Sequence, residues 1–381
     1  MKYDIMFIGG SFPMPEGAGS VNYVFRLLSG IDDKNYQVFT ANELNDSNKE
    51  FDKKFHHSIK RSKFVDHVIG KKRKRLNRLS RNIVAIILVA YNIIKYKPRL
   101  VFFTELSPLC ISYNIAKVFH KFKLGLFTYS EEILISRNKP FYGRLMRSWF
   151  QNADTILTVC DYTRYMINDI INVDDKIVKI IPSVPQFNAS ASKKENKSGR
   201  LQLLTVARLE ERKGHTDVIK ALGRLKDVFN FVYVIVGSGP YEEKIKECIA
   251  ENNAESFVEL RGRLSNEDLI KVYEKSDIFV MPHKELTNGD TEGCPTVFLE
   301  AGLFFLPVVG GEAGGVSDAI KDGETGFVCH KGTDELYMNL KKLLSDSELR
   351  ATLGENGFKY ASQFSVFNQS LLFRDCVERL L

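Results

Sequence analysis

Short apolar runs that stop near glycine alternate with amphipathic stretches along this chain, and they do so in two series on either side of one polar segment. In the first series Tyr3–Gly10, Tyr36–Thr40, Pro98–Thr104, Lys123–Tyr129 and Ala153–Val159 read as strands, with helices between them. The second series repeats the pattern with strands over Leu201–Val206, Phe231–Val236, Phe257–Arg261 and Asp277–Met281. Apolar strands alternating with helices build parallel sheets covered on both faces. Pro185–Gly199 shifts to Asn, Ser, Lys and Ala, the composition of a linker. At 381 residues the chain exceeds one ordinary core and suits two. The expectation is an α/β protein with two Rossmann-like domains facing across a cleft: 1–184, a linker over 185–199, 200–364, and a helical end over 365–381.

Composition removes several function classes. The longest apolar run, Ile83–Ala90, falls short of the ~20 residues a membrane-spanning helix needs. Met1–Gly10 reads as a strand without a signal-peptide cleavage site. Six cysteines with no C-x-x-C spacing point to reduced, buried thiols in the cytoplasm rather than zinc or disulfides. Charge is lopsided: residues 1–190 carry a formal +12 and the remainder −5. Lys53–Arg81 holds twelve basic residues and one acid, Asp66. That density suits a solvated face or an anionic membrane surface, and without interleaved aromatic residues it does not suggest nucleic acid.

The chemistry concentrates in Glu292-Gly-Cys-Pro-Thr-Val-Phe-Leu-Glu300. Pro295 fits the first turn of a helix, which would leave the N–H groups of Thr296 and Val297 free for a phosphate. Glu292 before that helix and Glu300 within it would accept hydrogen bonds from sugar hydroxyls. A capping Glu292 and a solvated Glu300 are the plain alternative. Arg208 and Lys213, following the strand Leu201–Val206, supply two positive charges for a departing diphosphate, each worth about 4 kcal/mol at ~4 Å before desolvation. No D-x-D motif occurs, so the expected site needs no metal and no cofactor. Gly17 and Gly19 form a weaker phosphate-loop signal between a strand and a helix, equally readable as a tight turn. Ser130 and Glu131, with Glu132 beside them, end the strand Lys123–Tyr129, where doubly wound sheets bind ligands.

Arg208-Leu-x-x-x-Lys213-Gly, Gly237-x-Gly-Pro240, Arg261-Gly, Glu292-Gly-x-Pro-x-x-x-Leu-Glu300-Ala-Gly, Pro307-Val-Val and Asp322-Gly-x-Thr-Gly326 together resemble the retaining glycosyltransferase family four of GT-B fold, in its bacterial polysaccharide-assembly form. The resemblance implies that Arg208 and Lys213 hold the diphosphate of a sugar nucleotide, a UDP-sugar, while Glu292 contacts the sugar and Glu300 the ribose. It also implies that the amides of Gly293 and Cys294 lie by sugar hydroxyls and those of Thr296 and Val297 by the distal phosphate. Arg261, Gly262 and Arg263 would flank the base, and Gly17 or Gly19 would approach the phosphates. The last helix would cross back to the first domain. Where many members carry a His, Ser130 stands here. The implied activity is hexosyl transfer to a glycan or lipid-linked acceptor at the inner face of a bacterial membrane, with the leaving phosphate as base. A silent sugar-nucleotide-binding partner protein and a nucleotide-sugar epimerase are the alternatives on the same platform.

Overall fold

The computed structural model describes residues 3–9, 19–41, 52–53, 55, 57–62, 75–137, 140–184, 199–287, 291–330 and 332–381. The chain divides into two compact units, Met1–Ile181 with Val366–Leu381, and Pro182–Ser365.

Among the described residues, seven parallel strands make the sheet of the first unit: β1 (Ile5–Ile8), β2 (Tyr36–Ala41), β3 (Ser58–Ser62), β4 (Leu100–Phe103), β5 (Lys123–Thr128), β6 (Thr155–Thr158) and β7 (Ile177–Lys179). They lie in the order β3-β2-β1-β4-β5-β6-β7. Its helices are α1 (Gly19–Leu28), α2 (Arg75–Tyr96), α3 (Ile111–Phe119), α4 (Ser130–Arg137), α5 (Pro140–Asn152) and α6 (Asp161–Ile170). β1 and β4 are buried along their whole length, which is why they read as unbroken apolar runs.

The described residues of the second unit form six parallel strands: β8 (Leu201–Val206), β9 (Phe231–Val236), β10 (Val258–Leu260), β11 (Ile278–Met281), β12 (Val308–Gly311) and β13 (Gly326–Cys329). Their order is β10-β9-β8-β11-β12-β13. The helices are α7 (His215–Gly223), α8 (Glu242–Glu251), α9 (Asn266–Lys275), α10 (Val297–Leu303), α11 (Thr333–Ser345) and α12 (Ser347–Ala361). Both sheets are doubly wound, and the strand order reverses beside β1 in one and beside β8 in the other. Ligands of such sheets bind outside the carboxyl ends of the strands at that reversal.

The last helix, α13 (Val366–Leu380), belongs to the first unit. Its Phe373 is fully buried and packs on Phe7, Phe102 and Phe127 at centroid distances of 6.3, 5.5 and 5.9 Å. Pro182–Val184 group with the second unit, where the Val184 N–H donates to Phe364 O at 3.1 Å.

Candidate active site

The loops leaving β8 and β11 meet at the strand-order reversal of the second sheet. After β8 the chain makes a short 3-10 turn, Glu211–Lys213, and enters α7 through Gly214 at φ +74°. A Cβ at Gly214 would stand 2.4 Å from Pro282 O, so only glycine lets this turn lie against the loop after β11. Gly314, at φ +54°, does the same for Glu292: a Cβ there would stand 1.6 Å from Glu292 O. The next residue anchors that loop, with the Gly315 N–H donating to Gly293 O at 2.9 Å. His283 ties it further, its ring nitrogens 3.2 Å from Met281 O and 3.1 Å from Ala313 O.

Five charged side chains are linked in one chain of contacts. Arg208 pairs with Glu210 at 2.9 Å, and Glu210 pairs with Arg212 at 2.9 Å. Arg212 and Lys213 both donate to Oε2 of Glu292. Lys213 and Arg212 are only 9% and 17% exposed, whereas Arg208 is 71% exposed. Burial pushes the Glu292 carboxyl up, but the Lys213 ammonium and the Arg212 guanidinium outweigh it and hold the group below the usual range. Glu292 is therefore an anion. His215, at the start of α7, is buried beside this turn with Nε2 3.5 Å from Arg208 O, and burial lowers its pKa to about 4. It is neutral near pH 7 and adds no charge to the cluster.

Glu300 belongs to a different contact. The fully buried Tyr273 donates its hydroxyl to Glu300 Oε2 at 3.3 Å, and its ring stacks on Phe304 at 5.0 Å. Phe298 and Leu299 anchor α10 in the core and leave Glu300 half-buried.

Two details differ from the sequence expectation. α10 begins at Val297, two residues after Pro295. The Thr296 N–H is not free, because the turn at Pro295 folds it onto Cys294 O at 3.0 Å. Glu292 does not cap the helix either: Thr296 is the capping residue, without a side-chain cap bond, and Glu292 is turned to the two cations. Cys294 is half-buried and forms no disulfide.

The remaining candidates are more scattered. The loops after β9 and β10 are joined by Gly237 N–H to Gly262 O at 2.8 Å. Arg263 bonds Ser238 there at 2.7 Å, and Arg261 is exposed and paired with Glu259. In the first unit Ser130 is buried, its hydroxyl 3.0 Å from Thr163 Oγ1, and Glu131 is exposed. Glu132 instead accepts from the Tyr129 N–H at 2.8 Å and the Leu106 N–H at 3.4 Å, and burial raises its pKa to about 8. Gly19 is the first residue of α1, while Gly17, Asn288–Asp290, the linker 185–198 and residues 63–74 of the basic segment lie outside the described residues. Arg212 is the residue the sequence reading passed over. Its signal was adjacency, since a tight turn carrying two consecutive cations and Glu210 can direct both to one anion.

Residues 187–360 match the family model described as glycosyl transferases group 1. The matched residues form a group 1 glycosyltransferase domain. Its linked cluster, Tyr273 and Glu300 all lie inside the matched residues. The chain is similar, at 32% identity over 181 residues, to the amylovoran biosynthesis glycosyltransferase AmsK of Erwinia amylovora, covering 47% of this chain and 44% of that protein. It is 27% identical over 216 residues to a putative colanic acid biosynthesis glycosyltransferase of Salmonella typhimurium, covering 56% and 51%. The chain thus spans about half the length of these curated relatives. A GDP-mannose-dependent alpha-(1-6)-phosphatidylinositol monomannoside mannosyltransferase of Mycolicibacterium smegmatis is 27% identical over 273 residues, covering 68% and 71%. Among solved structures, HepE of Anabaena in complex with UDP superposes over all of both chains with TM-score 0.76 at 17% identity. Sucrose-phosphate synthase of Thermosynechococcus elongatus does so over 99% of each chain with TM-score 0.77 at 16% identity. At these identities the likeness is one of fold, and the glycosyltransferase domain sits in a two-domain GT-B architecture.

Proposed function

We propose that the protein is a retaining hexosyltransferase. It moves a hexosyl unit from a nucleotide diphosphate sugar, a UDP-sugar, to a bacterial cell-surface glycan or a lipid-linked acceptor. One observation carries this reading: Lys213 and Arg212 converge on the anionic Glu292 where the second sheet reverses its strand order.

A breaking bond between a sugar and a diphosphate leaves negative charge on the phosphate. Cations already fixed in place stabilise that charge without reorganising, and such electrostatic preorganisation is usually the largest catalytic contribution. Lys213 and Arg212 are fixed by Glu292 and Glu210, and Arg208, paired with Glu210, is the exposed member that meets the diphosphate. These groups supply the charge that a metal would otherwise bring. Glu292 accepts from hydroxyls of the donor sugar, and its anionic state opposes the positive charge that develops at the anomeric carbon. Glu300, oriented by Tyr273, accepts from the ribose hydroxyls. The amides of Gly293, Cys294 and Val297 face the sugar and the distal phosphate, and Arg261, Gly262 and Arg263 flank the base. With the departing phosphate taking the acceptor proton, no separate base is required.

The test is turnover of radiolabelled UDP-hexoses and GDP-hexoses by the purified protein, with and without lipid-linked glycan acceptors. Acceptor-dependent release of the nucleoside diphosphate, lost in Glu292→Ala, supports the reading. Interconversion of free sugar nucleotides without acceptor indicates an epimerase. Nucleotide binding with no turnover of any donor indicates a silent binding protein.

A further inference from the structure

A surface helix ordinarily carries one apolar stripe and one polar face. α2 departs from that pattern. Its inward side, including Ala85, Val89 and Ile93, is buried in the core of the first unit. Its outward side is apolar as well: Ile83, Ile87 and Tyr91, spaced by four residues, are 50%, 57% and 55% exposed, with Val84 beside them. The neighbouring helix α3 packs on α2 and exposes Val118 and Phe119 in its last turn. Seven of the fourteen large apolar side chains exposed among the described residues stand on these two helices. Apolar exposure concentrated in this way marks an interaction surface rather than ordinary surface scatter.

Charge around these helices is one-sided. From Ser80 to Ser130 the chain carries seven Lys and Arg and a single acid, Glu105. Lys95 and Lys117 are exposed on the two helices themselves, and the Lys95 ammonium lies 5.8 Å from the centre of the Tyr91 ring. No helix among the described residues is long and apolar enough to cross a bilayer. An apolar face bordered by lysines and nearly free of carboxylates is complementary to an anionic lipid surface, with the helix lying in the interfacial plane. A second copy of the chain fits less well, because pairing two such faces would set lysine against lysine.

We propose that the outward sides of α2 and α3 form a docking surface for an anionic bilayer. Ile83, Val84, Ile87, Tyr91, Val118 and Phe119 enter the boundary between headgroups and acyl chains, and Lys95 and Lys117 hold lipid phosphates. The exposed apolar residues of this surface lie beyond the Lys53–Arg81 segment singled out in the sequence, in which α2 begins, and the proposal stands independently of the transferase reading.

Cosedimentation of the full chain with vesicles of phosphatidylglycerol and phosphatidylethanolamine, against pure phosphatidylcholine vesicles, tests the proposal. The expected result is binding to the anionic vesicles that weakens with salt. The double variant Ile87→Glu/Phe119→Glu lowers the partition coefficient about 10-fold or more, as does Lys95→Ala/Lys117→Ala, with melting temperature unchanged. Should the glutamate variant fold poorly, Ile87→Ser/Phe119→Ser is read in its place. The proposal is overturned if the wild type does not sediment with anionic vesicles, or if the variants sediment as well as it does. A dimer in sedimentation velocity that Ile87→Glu dissolves would assign the face to a second copy and also overturn it. Nucleotide binding in solution is unaffected by these variants, so failure here leaves the transferase reading untouched.

Discussion

Lys213 donates to Oε2 of Glu292 across 79 residues of sequence, tying together the loops that leave two adjacent strands, β8 and β11. Arg212 donates to the same oxygen. One carboxylate therefore positions two cations, and the two cations keep that carboxylate ionised although it is largely out of water. Under the proposed function the pairing serves in both directions, because the same contact fixes the groups assigned to the phosphates and the group assigned to the sugar.

Glu292→Gln removes the charge while keeping the shape. Arg212 and Lys213 then face a neutral amide, so nucleoside diphosphate binding is not weakened. Turnover falls by about 100-fold or more, because the interaction made in the transition state is gone. Calorimetric titration and steady-state kinetics on the same preparation separate the two effects.

Gly214→Ala places a Cβ 2.4 Å from Pro282 O at φ +74°. The turn that carries Arg212 and Lys213 is forced off the loop after β11. A loss of about 1–3 kcal/mol in stability is expected, with activity falling further than the remaining folded fraction explains. Urea denaturation followed by activity normalised to folded protein measures this.

His215 is held neutral by burial, with its pKa lowered from 6.5 to about 4. A depressed pKa means that the stability this group contributes is complete above pH 6.5 and is lost as pH falls toward 4. The loss amounts to about 3 kcal/mol at most. Between pH 7 and pH 4 the melting temperature of the wild type should therefore fall relative to that of His215→Leu, a comparison that cancels the opposite contribution of Glu132, whose raised pKa stabilises the fold as pH falls. The lowered pKa of Glu292 acts only below the ordinary carboxylate value of 4.5 and does not contribute to the upper part of that window.

Phe373→Ala opens a hole among Phe7, Phe102 and Phe127. Truncating a fully buried Phe costs about 3–5 kcal/mol, and here the loss falls on the first unit. Hydrogen exchange should show α13 and β1 losing protection while β8 and β11 keep theirs.

The strands and their alternation were legible because parallel strands buried on both faces leave unbroken apolar runs, as β1, β4 and β9 do. Lys213 and Glu292 were legible because glycines and a proline punctuate the loops that carry them. Arg212 was not, since in sequence it is one more cation in a charged turn. What distinguishes it is the convergence of two loops 80 residues apart. The start of α10 was misplaced because Pro295 suits a first helical turn equally well in either register, and only the hydrogen bond from Thr296 to Cys294 decides between them. The commitment of the Ser130 hydroxyl to Thr163 depends on packing between α4 and α6, which no local pattern encodes.

The most direct measurement is isothermal titration of UDP into the wild-type protein, Lys213→Met and Arg208→Met, repeated with GDP. If these cations hold a donor diphosphate, one nucleotide binds the wild type and each substitution weakens it by about 10-fold or more. Equal affinity in all three proteins, or no binding of either nucleotide to the wild type, would contradict the account.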